Sequence, residues 1–237
     1  MDAIIMAGGK GTRMRPLTNN TPKPLLKIQE RPILEWTLQT LRPAVDRVLI
    51  VVKYLQEQIA DYMGQQTIFE QYALVEQLPE PLGTGHAVQC CRPQLQSDTF
   101  LVVNGDDFYS TRAIQALAQV PLGIMCIQRE DQAKWGVAVT NAQGHVVKIH
   151  EKPEEGTYPT PVNASIGAYK LSQRIFEHEL PLSPRGEYEL TDYVTWLAAR
   201  EPVHIVQSDF WMPVGYPQDI DAAEKLDLSR LVLGQSR

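Results

Sequence analysis

Residues 3–13 read AIIMAGGKGTR, an apolar run that passes directly into a glycine-rich loop. The apolar run predicts a buried β-strand over residues 3–7. Glycine at three of the four positions 8–11 lets the backbone pass close to a ligand and turn its N–H groups toward it. Between Asp2 and Glu30 the chain carries five Lys and Arg residues and no acidic residue, although its net charge is -6. A cationic, glycine-rich loop in an acidic chain predicts a bound polyphosphate.

Two common phosphate-binding motifs do not describe this loop. The dinucleotide fingerprint G-x-G-x-x-G would begin at Gly9, but Met14 occupies its third glycine position. The P-loop motif requires Ser or Thr after its lysine, whereas Lys10 is followed by Gly11. A glycine turn with solvated lysines is the alternative for so short a motif, and the rest of the chain has to decide between the two.

The composition is that of a soluble globular protein. Of the 237 residues 43% are hydrophobic and 21% are charged. No apolar run approaches the ~20 residues that cross a bilayer, and the N-terminus lacks the features of a secretory signal. Cys90, Cys91 and Cys126 lack metal-ligand spacing and are expected to be small buried thiols. We therefore expect a cytoplasmic protein that binds neither membrane nor nucleic acid.

The first half of the chain alternates between strand-like and helix-like segments. Strands are predicted at 3–7, 47–52, 72–76 and 99–103, and helices at 32–41, 56–63 and 85–91. Apolar strands separated by helices predict a mostly parallel sheet covered on both faces. Ligands of such sheets bind beyond the carboxyl ends of the strands. The glycine loop and the turn at residues 104–107 both follow strands, so we expect them to share one site.

The second half predicts a partly antiparallel extension of the sheet. Short alternating segments lie at 136–140, 146–151 and 164–169, followed by predicted helices at 172–178 and 191–200, a strand at 203–207 and a helix from Pro217. No repeat or linker interrupts the chain, which predicts a single domain over residues 1–237 with two lobes, about 1–130 and about 131–237.

Several short motifs follow one another along the chain, and together they are more specific than any one of them. They are Ala7-Gly8-Gly9-Lys10-Gly11-Thr12-Arg13, Pro22-Lys23-Pro24-Leu25, Leu82-Gly83-Thr84-Gly85-His86-Ala87, Asn104-Gly105-Asp106, Glu151-Lys152-Pro153, Asn163 with Gly167, and Glu189-Leu190-Thr191-Asp192. In this order they resemble the sugar-1-phosphate nucleotidyltransferases (NDP-sugar pyrophosphorylases) over about residues 1–227. That family makes a nucleotide sugar and pyrophosphate from a nucleoside triphosphate and a sugar 1-phosphate.

The resemblance implies a fold and a separate binding role for each half of the chain. The expected fold is α/β, a Rossmann-like mixed, mainly parallel sheet with helices on both faces, of the nucleotide-diphospho-sugar transferase type. The first lobe is then the nucleotide-binding half and the second the sugar-phosphate half. Transfer to a phosphate oxygen depends on positioning and charge neutralisation more than on a protein nucleophile.

The resemblance also implies three catalytic residues. Arg13 binds the triphosphate through a planar, permanently charged guanidinium, and Lys23 reaches the phosphates near the reacting centre from between two prolines. Asp106 supplies a hard carboxylate to Mg²⁺. Asp107 is the alternative ligand, or it caps the next helix.

A further set of residues is expected to hold the nucleotide: Ala7, Gly8, Gly9, Gly11, Thr12, Gln77, Gly83 and Thr84. Gln77 can donate to and accept from one edge of a pyrimidine, which favours UTP or dTTP. Glu76 lies beside it and the interval from Gln77 to Gly83 is long for this pattern, so a GTP-using enzyme remains an alternative. His86 is expected to be a helix residue near the base pocket with no catalytic role.

The sugar-phosphate half carries Gly136, Glu151, Lys152 and Asn163, which match the family's sugar-phosphate side. A lysine beside a carboxylate can bind the phosphate while the acid accepts from sugar hydroxyls. Arg185 is a weaker candidate for the same phosphate. Thr191 and Asp192 begin a helix, either at the site or as a structural cap.

The chain departs from the family at Pro213. Much of the family has an aspartate here that completes the metal site with the residue matching Asp106, and proline has no ligand atom in its side chain. Asp209 and Asp219 are nearby in sequence but would need a changed path to replace it. Either one carboxylate suffices, or metal use is altered, or the protein is a non-catalytic regulator that binds nucleotides or nucleotide sugars.

Further expectations concern a related reaction, an additional domain and the oligomeric state. Cytidylyl transfer to a phosphorylated alcohol uses a similar loop, but the sugar-side motifs disfavour it. A C-terminal left-handed β-helix, present in some relatives, is not expected here, and homo-oligomer formation stays open.

Overall fold

The structure, a computed structural model, describes residues 1–234. Its strands are β1 (Asp2–Met6), β2 (Lys27–Ile28), β3 (Arg31–Pro32), β4 (Arg47–Val52), β5 (Tyr72–Glu76), β6 (Thr99–Asn104), β7 (Asp107–Tyr109), β8 (Gly123–Arg129), β9 (Gly136–Thr140), β10 (Val146–Glu151), β11 (Val162–Ser172), β12 (His204–Gln207) and β13 (Trp211–Pro213). Its α-helices are α1 (Ile33–Leu41), α2 (Gln56–Gln65), α3 (Thr84–Cys91), α4 (Thr111–Gln119), α5 (Leu190–Ala198), α6 (Pro217–Glu224) and α7 (Leu228–Leu231). None of the helices in this part of the chain is long and apolar enough to cross a membrane.

One nine-stranded sheet organises these elements. Strands β5, β4, β1 and β6 are parallel neighbours, and β11 then runs antiparallel to β6, β8 and β9. The outer strand β10 is antiparallel to β9, while β12 is parallel to β8. A mixed, mainly parallel sheet is thereby confirmed, with its antiparallel part in the second half of the chain as predicted.

Helices cover both faces of the sheet. Successive residues of β1 point to opposite sides, so Ile4 packs with α3 and α5 whereas Ile5 packs with α1, α2 and α4. Both residues are fully buried. Burial on both faces explains why the parallel strands read as nearly continuous apolar runs.

Two parts of the fold differ from the prediction. The helix predicted at 172–178 is a shorter 3₁₀ turn over Gln173–Glu177. Gln173 N donates to Asp98 O at 2.9 Å, which ties the segment to the sheet as it leaves β11. Helix α4 and strand β8 were not predicted at all, although Ser110 marks the helix start by accepting from Ala113 N at 3.0 Å.

A small ribbon of β7 and β13 lies beside the sheet and was also missed by the prediction. The two strands are antiparallel, with Trp211 opposite Tyr109 and Pro213 opposite Asp107. Phe108 of this ribbon and Val214, which follows β13, join a third apolar cluster with Trp36. The ribbon thus fixes the segment around Pro213 against the turn that carries Asp106.

Candidate functional site

The carboxyl ends of β1 and β6 place the glycine loop beside the Asp106 turn. The strands are in parallel register with Met6 opposite Asn104, and Gly105 N donates to Met6 O at 3.0 Å. A Cβ on Gly105 would lie 2.9 Å from that carbonyl oxygen, so only glycine permits this approach. The two segments therefore share one site, as the sequence predicted.

A cleft of about 200 Å³ opens at this point. Its walls are formed by Met6, Ala7, Gly9, Gly11, Thr12, Arg13, Met14, Lys23, Pro24, Asp106 and Gly215. The wall includes all three predicted catalytic residues but only four of the eight predicted nucleotide residues. The other four, which are Gly8, Gln77, Gly83 and Thr84, are not among its lining residues. Exposed backbone and two kinds of cation around one carboxylate suit a polyphosphate with a metal ion.

The glycine loop is shaped by Gly11. Its φ of +58° is left-handed, and a Cβ there would lie 3.0 Å from Thr18 Cγ2. Its carbonyl oxygen accepts from Thr18 Oγ1 at 2.8 Å and from Met14 N at 2.9 Å. These bonds close the 3₁₀ turn Thr12–Met14 and direct the chain along the cleft.

Arg13 lies on that turn, with its guanidinium 5.5 Å from the centre of the Tyr216 ring. Among residues 1–234 no carboxylate forms an ion pair with it, which leaves its donors available to a phosphate. Stacking on an aromatic ring fixes the plane of a guanidinium without neutralising it.

Lys23 is held more tightly than Arg13. Its side chain is only 11% exposed, and Nζ forms an ion pair and hydrogen bond with Asp106 Oδ2. Flanking Pro22 and Pro24 restrict the backbone from which the side chain starts. A cation and a carboxylate thus meet at the floor of the cleft.

Asp106 and Asp107 are neighbours in opposite environments. The Asp106 side chain is 36% exposed and lines the cleft. Asp107 is 6% exposed, and its Oδ2 accepts from Asn104 Nδ2 (3.0 Å), Trp211 Nε1 (3.1 Å) and the Tyr109 hydroxyl (3.2 Å). Burial, together with the charge of Asp106, raises the pKa of Asp107 to about 7. Asp106 is accordingly the carboxylate that faces the cleft.

Of the aspartates near Pro213 in the described residues 1–234, neither Asp209 nor Asp219 supplies the carboxylate that proline lacks. Asp209 accepts from Ser110 Oγ and pairs with Arg112 at 2.8 Å, and Asp219 caps α6 by accepting from Gly215 N and Tyr216 N, both at 2.7 Å. Across the described chain there is no cluster of three His, Cys, Asp or Glu residues able to hold a metal ion. Mg²⁺ commonly uses one or two carboxylates with phosphates and water, so Asp106 alone fits a phosphate-bound ion.

Gln77 lies behind the glycine loop at the end of β5. It is 4% exposed, and its Nε2 donates to Gly83 O at 3.0 Å and lies 3.1 Å from His86 Nδ1. Its Oε1 faces Gly8, 3.5 Å from where a Cβ would be. Glu76 points elsewhere and pairs with Lys53 at 2.9 Å. The amide nitrogen is thus already used inside the protein, and the oxygen is turned toward the loop.

Gly83 allows the loop between β5 and α3 to pack against Tyr188 in the second half of the chain. Its φ is +106°, and a Cβ would lie 2.5 Å from Tyr188 O. Tyr188 N donates to Leu82 O at 2.7 Å, and Thr84 Oγ1 accepts from Leu190 N at 3.1 Å. Thr84 therefore caps α5. Its hydrogen bond joins the loop predicted to read the base to the start of that helix.

The sugar-side residues form a row across three strands. Glu151 of β10 lies opposite Gly136 of β9, and a Cβ on Gly136 would approach Glu151 Oε1 to 3.0 Å. The pairing of Val137 with Ala164 places Ser165 of β11 next to Gly136 on the other side. Burial, with the charge of Glu189, raises the pKa of Glu151. Ser165 is a candidate that the sequence analysis missed.

Asn163 lies outside this row, two residues before Ser165 on β11. Its Oδ1 accepts from Gln128 Nε2 at 2.6 Å and from Gln207 Nε2 at 2.7 Å. The sequence carries no signal that selects Ser165, because residues 163 and 165 share one face of β11 and only the register with β9 places Ser165 beside Gly136.

Lys152 and Arg185 lie near the end of the row. Lys152 has a left-handed φ of +45°, and its N–H donates to Trp135 O at 2.9 Å. Such a conformation is costly for a residue with a Cβ and is common at ligand sites. Arg185 pairs with Glu189 at 2.7 Å.

The whole described domain matches a known family model. Residues 2–230 fit the model described as nucleotidyl transferase. A bifunctional protein GlmU from Methanocaldococcus jannaschii is 34% identical over 236 residues, which are 98% of this chain and 55% of that protein. A glucose-1-phosphate thymidylyltransferase from Streptomyces griseus is 32% identical over 98% of this chain and 66% of its own length. The chain spans about half to two thirds of the length of these relatives.

The fold has counterparts among solved structures. A UDP-glucose pyrophosphorylase complexed with UDP-glucose superimposes with a TM-score of 0.81 at 21% identity, over 94% of this chain and 96% of that one. This likeness supports the fold alone. With the family model covering nearly every described residue, the chain belongs to the nucleotidyl transferase family.

Proposed function

We propose that this protein transfers a nucleotidyl group from a nucleoside triphosphate to a sugar 1-phosphate. The observation that carries the proposal is the single cleft in which Arg13, Lys23 and Asp106 surround an exposed glycine loop. The family membership supports nucleotidyl transfer, and one relative is named a glucose-1-phosphate thymidylyltransferase. The row of Glu151, Gly136 and Ser165 supports a second substrate on the sugar side.

The reaction follows from this arrangement. An oxygen of the sugar phosphate attacks the α-phosphorus in line, a new P–O bond forms, and the bond to the β-phosphate bridging oxygen breaks with pyrophosphate leaving. Backbone N–H groups of the glycine loop bind the triphosphate oxygens. Arg13 neutralises charge on the leaving pyrophosphate, and Lys23 does so near the α-phosphate. These residues orient both substrates and require no protein nucleophile.

Asp106 is the residue that would hold Mg²⁺. When bound, the ion neutralises phosphate charge and restricts the triphosphate to one geometry. The Lys23–Asp106 ion pair keeps the carboxylate oriented before substrates arrive, and Lys23 turns to phosphate oxygens once they do.

The base pocket favours UTP or dTTP. Gln77 Oε1 faces the glycine loop and can accept from the ring N–H of uracil or thymine. The GTP-using alternative was based on Glu76 and on the long interval from Gln77 to Gly83. The ion pair of Glu76 with Lys53 at 2.9 Å weakens the first of these grounds.

On the sugar side, Glu151 and Ser165 can bind hydroxyl groups and Lys152 the phosphate. Gly136 supports this by leaving room beside Glu151. Asn163 can add only its amide nitrogen, because its oxygen already accepts two hydrogen bonds.

A second candidate is a non-catalytic regulator that binds the same ligands. The observation in its favour is Pro213, with Asp209 and Asp219 both bound elsewhere. It predicts saturable nucleotide binding without turnover.

The test is pyrophosphate release from the purified chain with Mg²⁺, a panel of nucleoside triphosphates and several sugar 1-phosphates. We expect release only when both substrates are present. Asp106→Asn should lower kcat by about 100-fold or more, whereas Asp61→Asn, on the exposed surface of α2, should not change it. Silence across the whole panel would refute the proposal, and binding without turnover would favour the regulator.

A further inference from the structure

His86 contacts the Gln77 amide that is proposed to read the base, although it has no place in the proposed chemistry. Its Nδ1 lies 3.1 Å from Gln77 Nε2, and its Nε2 lies 3.7 Å from Cys90 Sγ. The ring also packs at 6.4 Å from that of Tyr188, in the segment bonded to Leu82 and Gly85. It therefore lies on the first turn of α3, between Gln77 and the segment that precedes α5.

The chemistry of a carboxamide settles the roles in this contact. Its nitrogen can only donate, so His86 Nδ1 accepts from Gln77 Nε2 and the ring hydrogen is on Nε2. Burial lowers the pKa of His86, opposed by a hydrogen bond with the Leu78 backbone, so the neutral ring that can accept is favoured. The other hydrogen of the amide goes to Gly83 O at 3.0 Å.

Both hydrogens of the Gln77 amide are consequently directed into the protein. The oxygen is left facing Gly8, 3.5 Å from where a Cβ on that residue would lie, so the acceptor is the only group that the amide presents to the glycine loop. An acceptor in this position attracts the ring N–H of uracil and repels the unprotonated N3 of cytosine. If the amide turned over, its nitrogen could donate to cytosine instead, and the discrimination would be lost.

We propose that His86 is a positioning residue for base selection, which fixes the Gln77 amide so that only its oxygen is offered to the base. The inference rests on the proposed function, since it assumes that the base lies over Gly8 beside Gln77. It assigns His86 no contact with the reacting atoms.

The experiment compares His86→Leu, which removes the acceptor, with His86→Asn, whose side-chain oxygen can replace Nδ1. Equilibrium binding of UTP and CTP to the full chain is measured by calorimetry, and kcat and KM are measured in parallel. In His86→Leu we expect the preference for UTP over CTP to fall about tenfold, the effect of about one hydrogen bond, with kcat nearly unchanged. His86→Asn should recover most of the preference.

Controls separate this role from a structural one. His145→Leu, which lies at the opposite end of β10 from Glu151, should leave the preference unchanged. If His86→Leu does not fold, His86→Phe retains the ring without the acceptor and serves in its place. An unchanged preference in either variant, or an equal loss in His86→Asn, overturns the inference. Wild-type protein that binds UTP without turnover would overturn the proposed function alone, because the binding preference still tests His86.

Discussion

At the scale of single residues, the site depends on a contrast between two adjacent carboxylates. Asp106 is open to the cleft, whereas Asp107 is buried and accepts three hydrogen bonds through one oxygen. The sequence shows only two aspartates after a strand. Which one faces a ligand depends on Trp211, which is more than a hundred positions away in the chain and donates to Asp107.

The buried carboxyl of Asp107 should make stability depend on pH. Its pKa is raised to about 7 in the folded protein, against about 3.9 in an unfolded chain. Between these values the folded state holds a proton that the unfolded state has released, so this group's contribution to stability falls as pH rises from about 4 to 7. Asp107→Asn removes the titration and retains an acceptor oxygen. The free energy of unfolding is measured in urea, with a chelator present, from pH 5 to 8. As pH rises, the stability of the variant relative to the wild type should increase. A difference in unfolding free energy that does not change with pH would refute this.

Pro213 should limit metal binding in the absence of nucleotide. The residue lies opposite Asp107 in the ribbon, and the next residue, Val214, donates to Asp106 O at 3.2 Å. Pro213→Asp would add a second carboxylate beside Asp106. We expect Mn²⁺ to bind this variant about tenfold more tightly than wild type, by calorimetry without nucleotide, a change of about 1.4 kcal/mol. Equal affinities would show that position 213 does not reach the metal.

At the scale of elements, the close approach of β11 to β6 determines the geometry of the site. Gly167 has a φ of +75°, and a Cβ there would lie 2.2 Å from Asn104 Nδ2. Asn104 in turn donates to Asp107. A bend in β11 thereby supports the turn that presents Asp106.

Gly167→Ala should consequently damage both stability and the site. Gly144 is a matched control, because its φ is +79° and no atom lies within 4 Å of its missing Cβ. Gly144→Ala should cost about 1–2 kcal/mol for backbone strain alone. Gly167→Ala should cost at least about 2 kcal/mol more, because Asn104 must move, and it should reduce kcat. Equal unfolding free energies for the two variants would contradict this view of the strand.

The four parallel strands β1, β4, β5 and β6 and the helices α1 to α3 were predictable because each carries its own pattern. Strands 47–52 and 72–76 match the structure residue for residue. The ribbon of β7 and β13 was not predictable, because two three-residue strands far apart in sequence have no periodicity of their own. Ser165 was not predicted either, since only the register of β9 and β11 shows which residue adjoins Gly136.

At the scale of the whole molecule, one sheet joins the two predicted lobes. Strand β11 pairs with β6 of the nucleotide side and with β9 of the sugar side. We therefore expect a single cooperative unfolding transition in urea, followed by fluorescence and circular dichroism. A saturating nucleotide at 100 times its Kd should shift the entire transition by about 2.7 kcal/mol. Two separate transitions, with only one shifted, would show that the lobes are independent domains.

The central claim is that the cleft between β1 and β6 joins a nucleotide to a sugar phosphate. The most direct measurement is ³¹P NMR of one reaction that contains the protein, Mg²⁺, UTP or dTTP and a sugar 1-phosphate. We expect resonances of a nucleotide sugar and of pyrophosphate to grow in equal amounts, and only when both substrates are present. Orthophosphate as the product, pyrophosphate without sugar phosphate, or unchanged substrates with every pair tried would contradict it.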